Sequence, residues 1–246
     1  MLVSPQIPLQ LQTPVPKRFE DFIAGPNESA VAAIRNLLGQ SGASLFLSGP
    51  PSSGKTHLLT AACIALREEG APAWYLNLDG MEPGARALLK GLEGLVCFDG
   101  LHAVVGDSRW EEALFHCFNE VREAGGEILA ASRQPLSALQ FALPDLASRM
   151  AWGLRFRLEP LGEVERLAVL RSRARRLELD LPEEVESFLL RRISRDLGTL
   201  LDALEKLHGG ARADNRRVTV PLARQVLAAE LENEEAAGQP DKTEES

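Results

Sequence analysis

The sequence predicts an α/β protein, with a parallel sheet between helices followed by a smaller helical domain. Three observations predict it. Short apolar runs alternate with helical periodicity up to Pro160. A glycine-bearing octapeptide, Gly49–Thr56, joins the first apolar run to a long helical segment. Beyond Pro160 the period is helical, interrupted only by a short extended stretch near Arg217.

The elements follow in order. Residues 1–17 carry Pro5, Pro8, Pro14 and Pro16 and show no helical period, so they read as an extended tail. Ala30–Leu37 reads as an amphipathic helix, with Asn27 or Ser29 available as its cap. Ser44–Gly49 is the first strand, and a helix runs from Lys55 to about Glu69. Ala73–Leu78, Gly94–Asp99, Glu127–Ser132 and Leu154–Pro160 are the remaining strands. Ser108 and Glu111 have the spacing of a capping box for a helix that runs to Glu123. Glu163 to about Leu207 is helical, Arg217–Pro221 is extended, and a last helix covers Leu222 to about Glu232. The expected domains are a core over 18–160, a helical lid over 161–231 and an acidic, disordered tail over 232–246.

Composition narrows the function. The 246 residues are 45% hydrophobic with a net charge of −8, which suits one large core with a satellite and disfavours a non-specific nucleic-acid binder. Cys63, Cys97 and Cys117 are scattered and lack metal-ligand spacing, so they read as reduced, buried thiols. With no apolar run of membrane-spanning length and no signal peptide, the expected location is the cytoplasm.

The octapeptide GPPSSGKT matches the phosphate-loop pattern G-x-x-x-x-G-K-[ST]. Its candidate nucleotide-binding residues are Gly49, Pro50, Pro51, Ser52, Ser53, Gly54, Lys55, Thr56 and the adjoining His57. Glycines let the backbone curl so that amides converge on phosphate oxygens. Lys55 brings a positive charge, and the Thr56 hydroxyl is a hard oxygen ligand suited to Mg²⁺. The helix that follows directs its N-terminus at the anion. The partner strand ends at Asp99, a carboxylate placed to hold Mg²⁺ through water. The next position, where a second acidic group would orient an attacking water, is Gly100. His102 reads as a surface or structural histidine. The expectation is a site that binds nucleotide well and hydrolyses it poorly.

Several stretches resemble one family. Arg18–Ile34 is similar to the segment of the bacterial replication initiator DnaA that closes over the adenine base. Ile128–Pro135 resembles its sensor 1 strand and turn, and Leu143–Gly153 its arginine-finger segment. The resemblance, over roughly residues 18–230, implies a P-loop AAA+ core with a helical lid. No helix-turn-helix follows the lid, and a short N-terminal peptide precedes the core. That combination resembles the Hda-type DnaA inactivators. It implies bound ADP or ATP with Mg²⁺, and partnership with DnaA and with the β sliding clamp of DNA polymerase III. It also implies contact with DNA only through the clamp, self-association into a homo-oligomer, and regulatory inactivation of DnaA as a DNA replication inhibitor.

The resemblance extends to single residues. Gln6–Leu11, QIPLQL, is similar to the clamp-binding motif, with Gln6, Leu9 and Leu11 as the contacting side chains. An extended segment stiffened by proline loses less entropy on docking. Arg149 falls at the arginine finger, which in the family acts in trans on a neighbour's nucleotide; an ion pair with Asp145 is the other role open to it. Ser132 stands where sensor 1 usually has Asp. The sensor 2 arginine is replaced by Gly198, with Arg195 three residues earlier. Together with Gly100, these departures weaken γ-phosphate sensing. The rival readings are an autonomous AAA+ ATPase and a helicase loader or DnaA-like replication factor.

Overall fold

The computed structural model describes residues 17–193, 196–213 and 216–228. The chain divides into two compact units, Met1–Pro160 and Leu161–Ser246.

The first unit is built on a five-stranded, wholly parallel sheet. Its strands are β1 (Ser44–Ser48), β2 (Ala73–Asn77), β3 (Leu95–Asp99), β4 (Glu127–Ser132) and β5 (Leu154–Arg157), in the order β2-β3-β4-β1-β5. Its helices are α1 (Glu28–Leu37), α2 (Lys55–Glu68), α3 (Ser108–Glu123) and α4 (Pro144–Ala151).

Strand alternation sorts the core into two layers. Leu45, Leu47, Leu95, Cys97, Leu129 and Ala131 face one side and pack with Leu58, Leu59, Ala62 and Cys63 of α2 and Ile34 of α1. Phe46, Val96, Phe98, Ile128 and Ala130 face the other, against Leu114, Cys117, Phe118 and Val121 of α3. Both faces of β3 and β4 are covered, which is why these segments read as unbroken apolar runs. The three cysteines are free and buried. Burial pushes the Cys117 thiol up to about 12, so it behaves as a small hydrophobe.

The expected caps hold in part. Asn27 occupies the N-cap position of α1, but its side chain makes no cap bond and turns instead to Glu159; Ser29 lies inside the helix. Asn27 Nδ2 donates to the Glu159 carbonyl at 3.0 Å and its Oδ1 accepts from the Glu159 amide at 2.8 Å. For α3 the cap is Asp107, whose Oδ1 accepts from Arg109 and Trp110 amides at 2.9 and 3.2 Å. Glu111 does not close a box with Ser108. Fully buried, it accepts from the amides of Gly106 (2.7 Å), Ala142 (3.0 Å) and Leu143 (2.6 Å). One carboxylate thus ties the loop before α3 to the residue that opens α4.

The second unit contains α5 (Glu163–Arg176), α6 (Glu183–Arg192), α7 (Leu197–Ala213) and α8 (Val220–Val226). Leu170, Val185, Leu189, Leu200, Leu204, Leu207 and Leu222 form its core. Arg171 forks onto Glu186 at 2.9 and 2.8 Å, and Arg173 pairs with Glu205. The Val-Thr-Val stretch is not extended throughout. Thr219 caps α8 by accepting from the Leu222 amide at 3.4 Å, and Pro221 sits in the first turn, where its missing amide costs nothing. Among the described residues, no helix is long and apolar enough to cross a membrane. The acidic tail lies outside them.

Candidate functional site

In a parallel sheet of this kind, ligands bind beyond the carboxyl ends of the strands. Register brings four such ends together: Ser48 pairs with Ser132, and Asn77 with Asp99. Above them lies a cavity of about 270 Å³. Pro51, Ser52, Lys55 and Thr56 of the phosphate loop line it, with Tyr75, Asn77 and Asp79 from β2 and its turn. Asp99, Gly100 and His102 from the end of β3, and Ser132 and Arg133 from the end of β4, complete the wall.

The phosphate loop ends at Gly54, which has φ +96° and no side-chain cap to offer α2. A Cβ there would stand 2.5 Å from the Phe22 ring, so the tight approach requires glycine. The first amides of α2 are left for an anion. Lys55 Nζ donates to the carbonyls of Gly49 (2.7 Å) and Pro50 (2.6 Å) and to Ser53 Oγ (3.2 Å). Burial pulls its pKa down, against the opposing pull of the Asp99 charge. The preceding segment is fastened to α2: His57 Nε2 donates to the Arg18 carbonyl at 2.8 Å, and Phe22 meets the His57 ring edge-on at 5.3 Å. Desolvation lowers the His57 pKa.

At the strand ends, Asp99 Oδ2 accepts from Thr56 Oγ1 at 2.5 Å and from Tyr75 Oη at 2.9 Å. Its Oδ1 accepts no hydrogen bond among the described residues. The donor set of one hydroxyl and one carboxylate is hard oxygen, which fits Mg²⁺. Among the described residues, no cluster of three or more His, Cys, Asp or Glu could hold a metal. Such an ion would therefore rely on nucleotide phosphates for much of its coordination.

Gly100 adopts φ +75°, and a Cβ there would lie 3.2 Å from both Cβ and the amide of Asp79. The backbone, and not only the missing side chain, therefore disfavours a carboxylate at this position. His102 lines the cavity, with a buried Nδ1 that has no hydrogen-bond partner. Desolvation, then Arg133, lowers its pKa. Ser132 is fully buried; its Oγ accepts from the Gln134 amide at 3.1 Å, a local turn contact. Arg133 pairs with Asp79 at 3.1 Å.

Arg149 lies in the last turn of α4 and does not line this cavity. Among the described residues it makes no ion pair with Asp145. Its guanidinium stacks over Trp152 at 4.2 Å, with the Phe115 ring at 5.9 Å. Arg122 lies over the same indole at 4.5 Å. Trp152 is 55% exposed and neighbouring Leu154 56%, while Arg149 itself is half-buried. Gly198 lies in the first turn of α7. Gln6, Leu9, Leu11 and Arg195 lie outside the described residues.

Sequence reasoning did not find Tyr75, Asn77, Asp79 or Arg133, and placed His102 outside the site. The signal that could have found them is positional: all but Tyr75, which lies two residues before the end of β2, sit at or just past a strand end, where an open parallel sheet collects its ligand contacts.

Parallel order, phosphate loop, acidic strand end and a separate helical unit together define a P-loop AAA+ module. Domain III of the Thermotoga maritima initiator DnaA superposes with a TM-score of 0.77 at 25% identity, covering 87% of this chain and 97% of that one. AMPPCP-bound DnaA from Aquifex aeolicus matches with a TM-score of 0.65 at 23% identity, over 79% of this chain and 65% of that one. The RuvB Holliday junction branch migration motor of Thermotoga maritima shares the fold at 16% identity and a TM-score of 0.65, over 87% of this chain and 72% of that one. Residues 163–227 match the family model of the Hda lid domain. The chain thus resembles the Hda family in its lid and DnaA in its AAA+ fold.

Proposed function

We propose that this DnaA-related replication regulator holds ADP with Mg²⁺, is tethered to the β sliding clamp through residues 6–11, and presents Arg149 to ATP bound by DnaA. The lid match and the likeness to DnaA support DnaA as the partner. The AMPPCP carried by the Aquifex DnaA structure supports a nucleotide in the cavity.

In this reading the phosphate loop and the start of α2 bind the diphosphate, and Lys55 turns from loop carbonyls to phosphate. Thr56 and Asp99 would hold Mg²⁺, which when bound neutralises phosphate charge. Gly100 offers no carboxylate to orient water, so the chain's own nucleotide persists. The observation that carries the proposal is Arg149: a half-buried guanidinium with no carboxylate partner among the described residues, shelved on an exposed indole. A planar cation reaching a neighbour's γ-phosphate stabilises charge that spreads over its oxygens during transfer.

The test is reconstitution. Clamp loaded on DNA, ATP-bound DnaA and this protein are mixed, and conversion to ADP-bound DnaA is followed. Conversion should require all three, and the double substitution Gln6→Ala, Leu11→Ala should abolish clamp binding and clamp-dependent conversion. Clamp affinity unchanged by that substitution would remove the tether from the proposal. An autonomous ATPase would instead turn over ATP without partners.

A further inference from the structure

We propose that Tyr75 is a positioning residue for the divalent cation: its phenol holds the Asp99 carboxylate so that one oxygen is occupied by hydroxyls and the other is left for the metal shell. The inference rests on the reading that this cavity takes a nucleotide with Mg²⁺, and adds a third protein group to the Thr56 and Asp99 pair.

The geometry is a short chain of three side chains from three elements. Asp99 ends β3, Thr56 opens α2, and Tyr75 sits on β2. Asn77 is the register partner of Asp99, so Tyr75, two residues back, projects to the same face of the sheet. Its ring packs against the apolar layer beneath α2, which fixes where the hydroxyl lies. From there Oη donates to Asp99 Oδ2 at 2.9 Å, the oxygen that also accepts from Thr56 Oγ1 at 2.5 Å.

Two consequences follow from the donor inventory. A carboxylate held by one hydroxyl can still rotate; held by two on the same oxygen, it cannot turn that oxygen outward without breaking both bonds. Thr56, whose proton is committed to Asp99, keeps its lone pairs free for a cation. The phenol has one proton to give, and it is directed at Asp99 Oδ2. A tyrosine that merely fills space beneath α2 would need no hydroxyl, so Tyr75→Phe, which retains the ring, separates the two roles.

The experiment measures ADP affinity of the full chain by calorimetry, once with Mg²⁺ and once with EDTA. In Tyr75→Phe, affinity with Mg²⁺ should fall about tenfold, the scale of a lost hydrogen bond to a charged group. Affinity in EDTA should stay within about twofold. Tyr75 is the chain's one tyrosine, so 3-fluorotyrosine labelling gives a single fluorine resonance. That resonance should move when Mg²⁺ is added to the ADP complex, and should not move in Asp99→Asn. Unchanged affinity with Mg²⁺, or an equal loss with and without it, overturns the positioning role. A wild-type protein whose ADP affinity ignores Mg²⁺ overturns the metal reading of the cavity, and this proposal with it.

Discussion

Gly100 concentrates the residue-scale argument. The position could be read as a simple deletion of a catalytic side chain, repairable by substitution. The left-handed backbone and the 3.2 Å approach to Asp79 say otherwise. A side chain with φ fixed near +75° costs of order 1–3 kcal/mol in strain, and the crowded Asp79 backbone adds to it. Gly100→Glu should therefore lower the melting temperature and leave ATP turnover by the isolated chain near background. A stable variant with vigorous turnover would mean that the site lacks only a base. Residue-scale chemistry was partly legible from sequence. The phosphate loop is local, so its spacing alone assembles Lys55 and Thr56 near one point. Tyr75 and Arg133 were illegible because strand register brings them there from 24 and 34 residues away from Asp99.

At the scale of elements, α3 and α4 show how a sequence pattern can name the right helix and the wrong contacts. Ser108 and Glu111 have capping-box spacing, yet the residue with extended backbone and an accepting side chain is Asp107. Both Asp107 and Ser108 are good caps by composition; the choice depends on where the chain turns, which spacing alone does not encode. Asp107→Ala should cost about 1 kcal/mol of unfolding free energy, and Ser108→Ala only a few tenths, by denaturant titration. Equal losses would restore Ser108 as the cap. Glu111, freed from the box, binds amides on both sides of a long sequence gap, and through Leu143 it sets where α4 begins. The element that carries Arg149 is thus anchored to the core by a buried carboxyl group whose amide partners are all backbone. The Val-Thr-Val stretch before α8 is a similar case. Its β-branched residues favour extension, but a threonine cap followed by a first-turn proline starts a helix there.

At the scale of the whole molecule, fold class and function separate. Alternating apolar runs predict the parallel sheet because both faces of its central strands are buried, and the shared strand direction brings the sheet-derived groups of the cavity toward the carboxyl end of the sheet. The helical unit matches the Hda lid, and the sheet unit resembles DnaA. Nothing in periodicity alone distinguishes a protein that splits nucleotide from one that keeps it. In the proposed reading that distinction rests on Gly100 at the strand end and on Arg149, which lies outside the cavity in the same unit.

The central claim is that a protein with a retentive pocket of its own lends Arg149 to another protein's triphosphate. The most direct measurement loads DnaA with γ-labelled ATP, supplies this chain with unlabelled ADP and clamp on DNA, and follows labelled phosphate release under single-turnover conditions. Arg149→Ala should bind ADP and clamp like the wild type and slow the stimulated release by about 10³-fold. Stimulation by Arg149→Ala at the wild-type rate would contradict the account.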